Sequence, residues 1–315
     1  MQQKVVALGG GHGLAATLAS LRKITPLITA IVTVADNGGS SGRLRQEFPI
    51  LPPGDLRMAL SALCSDDEWG RDWATIMQHR FTGEGSLRGH AVGNLLLAAL
   101  WDRDEDPVAG LDRVASLLRV VGRVLPMASQ PLDIEATFQE GGRFTVVRGQ
   151  AEVAAAHGKL ESLRIIPADP PSRQEALRAI AAADWITMGP GSWISSVLPH
   201  LLVPAQRRAL INSRAKRIVV LNLDAVPEIS GNEYAGYTPE EHLGLIRQYA
   251  PEFQADYVVA DFSVVRDAHS LENHVREMGG TLVSADLGMG VGSVHHDVEK
   301  LASVFGHIMS NSLIG

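Results

Sequence analysis

Apolar residues follow two rhythms along this chain, short two-sided runs and helical stripes, and the two alternate. Val5-Val6-Ala7-Leu8 is apolar at consecutive positions, as a strand buried on both faces of a parallel sheet must be. Gly9-Gly10-Gly11-His12-Gly13 interrupts it. Leu14, Leu18 and Leu21 then recur at helical spacing, and Pro26 lies beyond the predicted helix end. Residues 28–34, rich in β-branched side chains, predict a second strand, so the first 35 residues read as a βαβ unit. The small residues Gly38-Gly39-Ser40-Ser41-Gly42 follow as a loop. Pro52-Pro53-Gly54 marks a turn before a helix over 55–63.

Further along, 92–101 is apolar almost all round and predicts a buried helix, with another over 110–121. Residues 124–166 change character. Thr145-Val146-Val147, Leu163-Arg164-Ile165-Ile166 and the Gly141-Gly142 turn predict short antiparallel strands, a β-rich insertion on the main sheet. Alternation resumes with a helix over 173–183, the strand Trp185-Ile186-Thr187-Met188, and Gly189-Pro190-Gly191-Ser192. Strands at 218–223, 256–260 and 281–284 alternate with helices near 238–249 and 298–309. Val298, Leu301, Ala302, Phe305, Ile308 and Met309 form one stripe on the last helix. No internal repeat interrupts the series. The expected fold is α/β: one Rossmann-like domain over 1–315, with a doubly wound, mostly parallel sheet and the insertion at about 124–166.

Composition narrows the function classes. Of 315 residues, 45% are hydrophobic and 20% charged, which excludes disorder as the main state. The net charge of −7, with no basic run, argues against nucleic acid and anionic membranes as partners. A single cysteine, Cys64, excludes an intrachain disulfide framework. No apolar run approaches the ~18 residues of a membrane span, and the N-terminal one is too short for a signal peptide, so a cytoplasmic protein is expected. Glycine, at 31 residues, exceeds the usual share, and much of the excess is clustered.

The clusters carry the candidate chemistry. A strand ending in glycines that open a helix presents unpaired N–H groups and the positive helix end to an anion. Residues 9–13 hold four glycines but miss the G-x-G-x-x-G spacing, because Leu14 occupies the last glycine position. A phosphate turn is favoured there over a plain connection. Asp36 ends the second strand, where a carboxylate binds a ribose hydroxyl in dinucleotide sites. With Asn37, Gly38, Gly39, Ser40, Ser41 and Arg43 it forms a second small-residue loop, which a redox dinucleotide site does not ordinarily need. Asp55 is expected at a helix N-cap, and from its own segment a structural cap is the better reading. Asn94 could bind a ligand or tie two loops together, and the residues leave this open. Gly189, Pro190, Gly191 and Ser192 repeat the strand-to-glycine plan. His295-His296-Asp297 reads as an N-cap for the last helix in preference to a metal site.

Taken together, these segments resemble the YvcK family of gluconeogenesis factors, which is related to the CofD-type 2-phospho-L-lactate transferases. The matching stretches are residues 7–14, 29–45, 51–57, 89–95 and 189–192, with Pro199, 201–203, Gly236-Tyr237-Thr238 and His242. The resemblance implies a binding protein for UDP-glucose or UDP-N-acetylglucosamine that supports cell-wall synthesis and cell shape on gluconeogenic carbon sources. On this reading Gly10, Gly11, His12, Gly13, Asp36, Asn37, Gly38, Gly39, Ser40, Ser41, Arg43, Asp55, Asn94 and residues 189–192 contact the ligand, and no residue is assigned as catalytic or as a metal ligand. His12 stands where many members have threonine, and His295 where the family often has arginine. Val298 replaces a threonine of some members, so phosphorylation there is not expected. The alternative is a Mg²⁺-dependent phosphoryl-type transferase in which Asp36 or Asp55 orients an acceptor hydroxyl. An NAD-binding dehydrogenase ranks third, for want of a hydride-handling group. Expected partners are the nucleotide sugar, cell-wall synthesis proteins and a second copy in a homodimer, with no membrane insertion.

Overall fold

Residue order along the chain and strand order across the sheet run in opposite senses from one point, and that point defines the fold. In the computed structural model, which describes residues 2–104, 106–223, 237–290 and 292–311, seven strands make one sheet. They are β1 (Val5–Gly9), β2 (Ile28–Val32) and β3 (Arg123–Pro126), then β7 (Trp185–Met188), β8 (Lys216–Val220), β9 (Tyr257–Asp261) and β10 (Thr281–Ala285). Between these two groups, β4 (Asp133–Glu140), β5 (Arg143–Arg148) and β6 (Lys159–Ile166) form a separate antiparallel sheet. The main order is β10-β9-β8-β7-β1-β2-β3, with every neighbouring pair parallel. The chain winds outward from β1 to β3, then returns to β7 on the other side of β1. The expected α/β, doubly wound, Rossmann-like plan is present, and its switch point lies between β1 and β7.

β1 is apolar at four positions and buried at all five, because it pairs with β2 on one side and β7 on the other. The helix Gly11–Leu21 turns Leu14, Leu18 and Leu21 onto the core and packs against the helices Pro53–Ala62 and Val298–Asn311. In the small sheet, β4 alternates strictly, burying Ile134, Ala136 and Phe138. No described helix is long and apolar enough to cross a membrane.

Three expectations need correction. Residues 123–126 belong to the main sheet, not to the insertion: β3 pairs in parallel with β2, and Val124 and Leu125 are buried there. The antiparallel region therefore spans 133–166. Residues 39–47 form a helix, Gly39–Glu47, where a loop is expected. Ser40 bonds the His90 side chain, Ser41 accepts from the Gly54 N–H and Leu44 is buried, so tertiary contacts override poor helix propensity. Finally, Asp55 is not an N-cap. The helix starts at Pro53, whose missing N–H costs nothing at the first position, and Asp55 is the third residue. Unpredicted helices at Glu68–Gln78 and Ala268–Glu277 are both capped by an aspartate, Asp67 and Asp267.

Candidate functional site

At the switch point the carboxyl ends of β1 and β7 each open through glycines. Gly10 is the extended N-cap of the helix Gly11–Leu21, no side chain caps that end, and no acid lies in its first turn. The first-turn N–H groups have no acceptor within the helix. The glycines do different jobs. A β-carbon on Gly10 would lie 2.4 Å from Asp55 Oδ2 and 2.5 Å from Thr33 Cγ2, and one on Gly13 would lie 2.2 Å from the Pro190 carbonyl oxygen. Both are glycine because protein packs against them. Gly11 has φ +58°, and a β-carbon there would find only Asp55 Oδ1, at 4.0 Å. Its open side belongs to a cavity of about 610 Å³ between residues 10–13, 190–192 and 294–296, with Gln150 and Asn222 completing the wall.

The β7 side of this cavity is braced. Asn222 accepts from the Gly191 N–H at 2.9 Å and donates to the Gly191 carbonyl at 3.0 Å. Ser192 Oγ accepts from the Ser195 N–H at 3.2 Å, and its hydroxyl also contacts that of Ser195. Thr17 donates to the Gly189 carbonyl at 3.1 Å. Buried His200 donates to the Gly9 carbonyl at 3.4 Å, and burial pulls its pKa down to about 4. Asn222 is absent from the sequence prediction. Its signal is a lone amide after the apolar run of β8.

The second segment uses its polar groups differently. Asp36 Oδ1 accepts from the Gly38 N–H at 2.9 Å. Asn37 donates to Glu152 at 2.8 Å and accepts from the Ala151 N–H at 3.0 Å. Buried Ser40 bonds His90 Nδ1 and receives Asn94 Nδ2, both at 2.9 Å, while Ser41 accepts from the Gly54 N–H at 3.0 Å. Arg43 reaches the carbonyls of Ser86 at 3.2 Å and Arg88 at 2.6 Å. Thus the expected site residues fall into two groups. Residues 10–13 and 190–192 meet around the cavity, with Asp55 directly behind Gly10. Asn37, Gly38, Gly39, Ser40, Ser41, Arg43 and Asn94 lie outside its lining, and Asp36 approaches through Gly54, whose β-carbon would lie 2.7 Å from Asp36 Oδ2.

Two buried titratable groups, Arg57 and His296, are absent from the predicted site residues. Arg57 is 3% exposed, with no hydrogen-bond partner for Nε or Nη1. Burial, followed by the nearby Arg80, lowers its pKa to about 10, against the opposing pull of Asp55 and Asp36. His296 lines the cavity, its Nε2 lacks a partner, and burial lowers its pKa to about 4. Burial, followed by His295, Arg57 and Arg80, holds His12 below the ordinary histidine value. Asp297 accepts from the N–H groups of Glu299 at 2.8 Å and Lys300 at 3.0 Å, the cap the sequence predicts.

Gly236 lies outside the described residues. Tyr237 and His242 stack in line with Trp193, His242 lying 4.6 Å from the Trp193 ring and 6.0 Å from that of Tyr237. Burial lowers His242 to about 3. Tyr237 Oη also accepts from the Leu160 N–H at 2.7 Å, so this segment packs onto the small sheet.

With this geometry in hand, known proteins give a consistent picture. The model of the family described as 2-phospho-L-lactate transferase CofD matches residues 5–303. A Mycobacterium tuberculosis protein named "Putative gluconeogenesis factor" is 47% identical over 311 residues, covering 96% of this chain and 90% of its own. A Halalkalibacterium halodurans protein named "Gluconeogenesis factor" is 38% identical over 248 residues, 79% of this chain and 74% of its own. The crystal structure of a UPF0052-family protein from Bacillus halodurans is similar with a TM-score of 0.85 at 32% identity, covering 96% of this chain and 99% of that one.

Proposed function

This chain belongs to the CofD family, and from that premise we propose that it binds a nucleotide sugar of the UDP-glucose or UDP-N-acetylglucosamine kind. The observation that carries the reading is Gly11: the one glycine of its cluster whose open side faces the cavity, at an uncapped helix N-terminus. A diphosphate seated there would receive first-turn N–H groups and the positive end of the helix dipole. The cavity of about 610 Å³ has the capacity of a small-molecule site. In the cell the proposed role is cytoplasmic support of cell-wall synthesis and cell shape during growth on gluconeogenic carbon. The relatives' names support the carbon-source part of that role. Isothermal titration with UDP-N-acetylglucosamine, UDP-glucose, UDP, NAD and ATP tests the binding claim. Saturable heat with uridine nucleotides is expected, and none at millimolar concentration would overturn it.

A second reading is a Mg²⁺-dependent phosphoryl-type transferase, favoured by two carboxylates, Asp55 beside Gly10 of the glycine turn and Asp36 beside Gly54 of the same helix as Asp55. Mg²⁺ typically takes one or two carboxylates together with substrate phosphates, and Asp36 and Asp55 fit that donor set. Asp36 and Asp55 would hold the ion, which would supply charge neutralisation on the phosphates. A metal-dependent product seen by mass spectrometry in a UDP-sugar or nucleotide incubation, and lost in Asp36→Asn, would establish this class.

A further inference from the structure

One side chain in the cavity wall is buried, held in place and left with an unpaired atom. His296 is 7% exposed and lines the cavity together with its neighbours Val294 and His295. Its backbone is pinned on both sides. His296 bridges Gly288 in an antiparallel pair, the Met289 N–H donates to the His295 carbonyl at 3.1 Å, and the Asp297 N–H donates to that of Leu287 at 2.7 Å. The ring is held too, because it donates to the carbonyl of Leu221, the residue after β8. Nε2 has no partner among the described residues, so the ring proton sits on Nδ1 and Nε2 presents a lone pair. Burial keeps the ring neutral near pH 7, with a pKa of about 4. Gln150 Oε1, a second acceptor in the same wall, is likewise without a partner. A buried acceptor left unsatisfied costs stability, and native proteins rarely keep one without a reason.

We propose that His296 recognises a sugar hydroxyl of the ligand, its Nε2 accepting that hydroxyl's hydrogen bond. The assignment rests on the nucleotide-sugar reading and deepens it, by giving the cavity two chemically distinct parts. The N-terminus of the helix Gly11–Leu21 offers donors, which suit phosphate oxygens. His296 and Gln150 offer acceptors, which a phosphate oxygen cannot satisfy and a hydroxyl can. The groups joined directly to a diphosphate in a nucleotide sugar are its two sugar rings, ribose and hexose, and both carry hydroxyls. An acceptor fixed by its backbone and by Leu221 needs no reordering to meet one of them.

The test titrates the full chain and the variants His296→Asn and His296→Gln with UDP-glucose, UDP and 2′,3′-dideoxy-UDP, and melts each without ligand. An asparagine amide stands where Nδ1 stood and keeps the Leu221 bond, whereas a glutamine amide reaches the position of Nε2. His296→Asn is expected to melt within a few degrees of the wild type and to weaken UDP-glucose about tenfold. His296→Gln, which restores an acceptor, should recover most of that loss. The other two ligands locate the hydroxyl. If it belongs to the hexose, His296→Asn binds UDP as the wild type does. If it belongs to the ribose, UDP weakens as much as UDP-glucose, and 2′,3′-dideoxy-UDP binds both proteins alike. UDP-glucose affinity of His296→Asn within about threefold of the wild type overturns the proposal and leaves the nucleotide reading intact. So does an equal loss on all three ligands, the mark of a structural histidine, and so does a folded His296→Gln that recovers nothing. If the wild type binds none of the three, the nucleotide reading and the proposal fall together.

Discussion

Residues 9–13 and 38–42 each follow a buried strand of the same parallel sheet, and each supplies small residues to the start of a helix. Around the first, His200 from elsewhere in the chain holds the Gly9 carbonyl, and the turn's own open side is left to the cavity. In the second, the segment's own side chains are engaged: Asn37 on the helix Gln150–Ala154, Ser40 on His90 and Asn94, Ser41 on Gly54. Glycine and serine together therefore do not mark a ligand turn. What distinguishes one is whether the protein has already satisfied the groups that the turn displays.

Acid should have the largest effect, and two of its targets border the first turn or its cavity: His200 on the Gly9 carbonyl and His296 in the cavity wall. His200 and His296, at about 4, and His242, at about 3, are all depressed below the ordinary 6.5 by burial. The unfolded chain takes up these protons as pH falls through about 6.5, while the native state resists until about 4, so stability is full above that window and is lost within it. Each group contributes on the order of 3 kcal/mol by pH 4. Acid unfolding followed by circular dichroism should be complete before pH 4. His242→Phe keeps the aromatic stack, lies outside both turns, and should move the midpoint to lower pH.

Steric tests come next. A β-carbon at Gly42 would lie 1.9 Å from the Asn37 carbonyl oxygen, and one at Gly13 2.2 Å from that of Pro190. Both obstacles are backbone, so Gly42→Ala and Gly13→Ala should each cost about 3 kcal/mol in chemical denaturation. By contrast, Ala16→Phe fills the cavity from a helical position that needs no special backbone angle. It should lower UDP affinity about 100-fold in titration while moving the melting temperature by only a few degrees. Gly11→Val is a poorer probe of the same space, because φ of +58° strains any β-branched residue.

The smallest effect separates the two segments most cleanly. Ser40→Ala removes the partner of Asn94 Nδ2 and His90 Nδ1, which should cost about 1–2 kcal/mol of stability. Ligand affinity should not change if the second segment is structural. A loss of affinity with stability intact would show that Ser40 serves the ligand instead.

Much of this was legible in the residue pattern, for identifiable reasons. The order of strands and helices along the chain follows from alternating apolar runs such as Val5-Val6-Ala7-Leu8 and the stripe Leu14, Leu18, Leu21, whereas the switch point between β1 and β7 is set by pairing. Pairing decided what the pattern could not. Val124 and Leu125 read equally well in either sheet until the partner strand β2 is known. The helix Gly39–Glu47 was illegible because its propensity is poor and its stabilising contacts lie 13 to 54 residues away. Asp55 was misread because proline and glycine ahead of it resemble a turn, although proline is favoured at a helix start. Arg57 and Asn222 became visible only as atoms, one by its missing partners and the other by its two-point hold on Gly191.

The helix Gln150–Ala154 reaches both the cavity and the second segment. Gln150 stands in the cavity wall, Ala151 holds Asn37 through its N–H, and Glu152 receives the Asn37 amide. All three belong to the antiparallel insertion, whose strands share no pairing with the main sheet. Sequence drift in that insertion can therefore remodel one wall of the cavity while the seven-stranded platform and its glycine turn stay constant. Lineages could in this way change what they bind by editing an appendage, with the core exempt from the experiment.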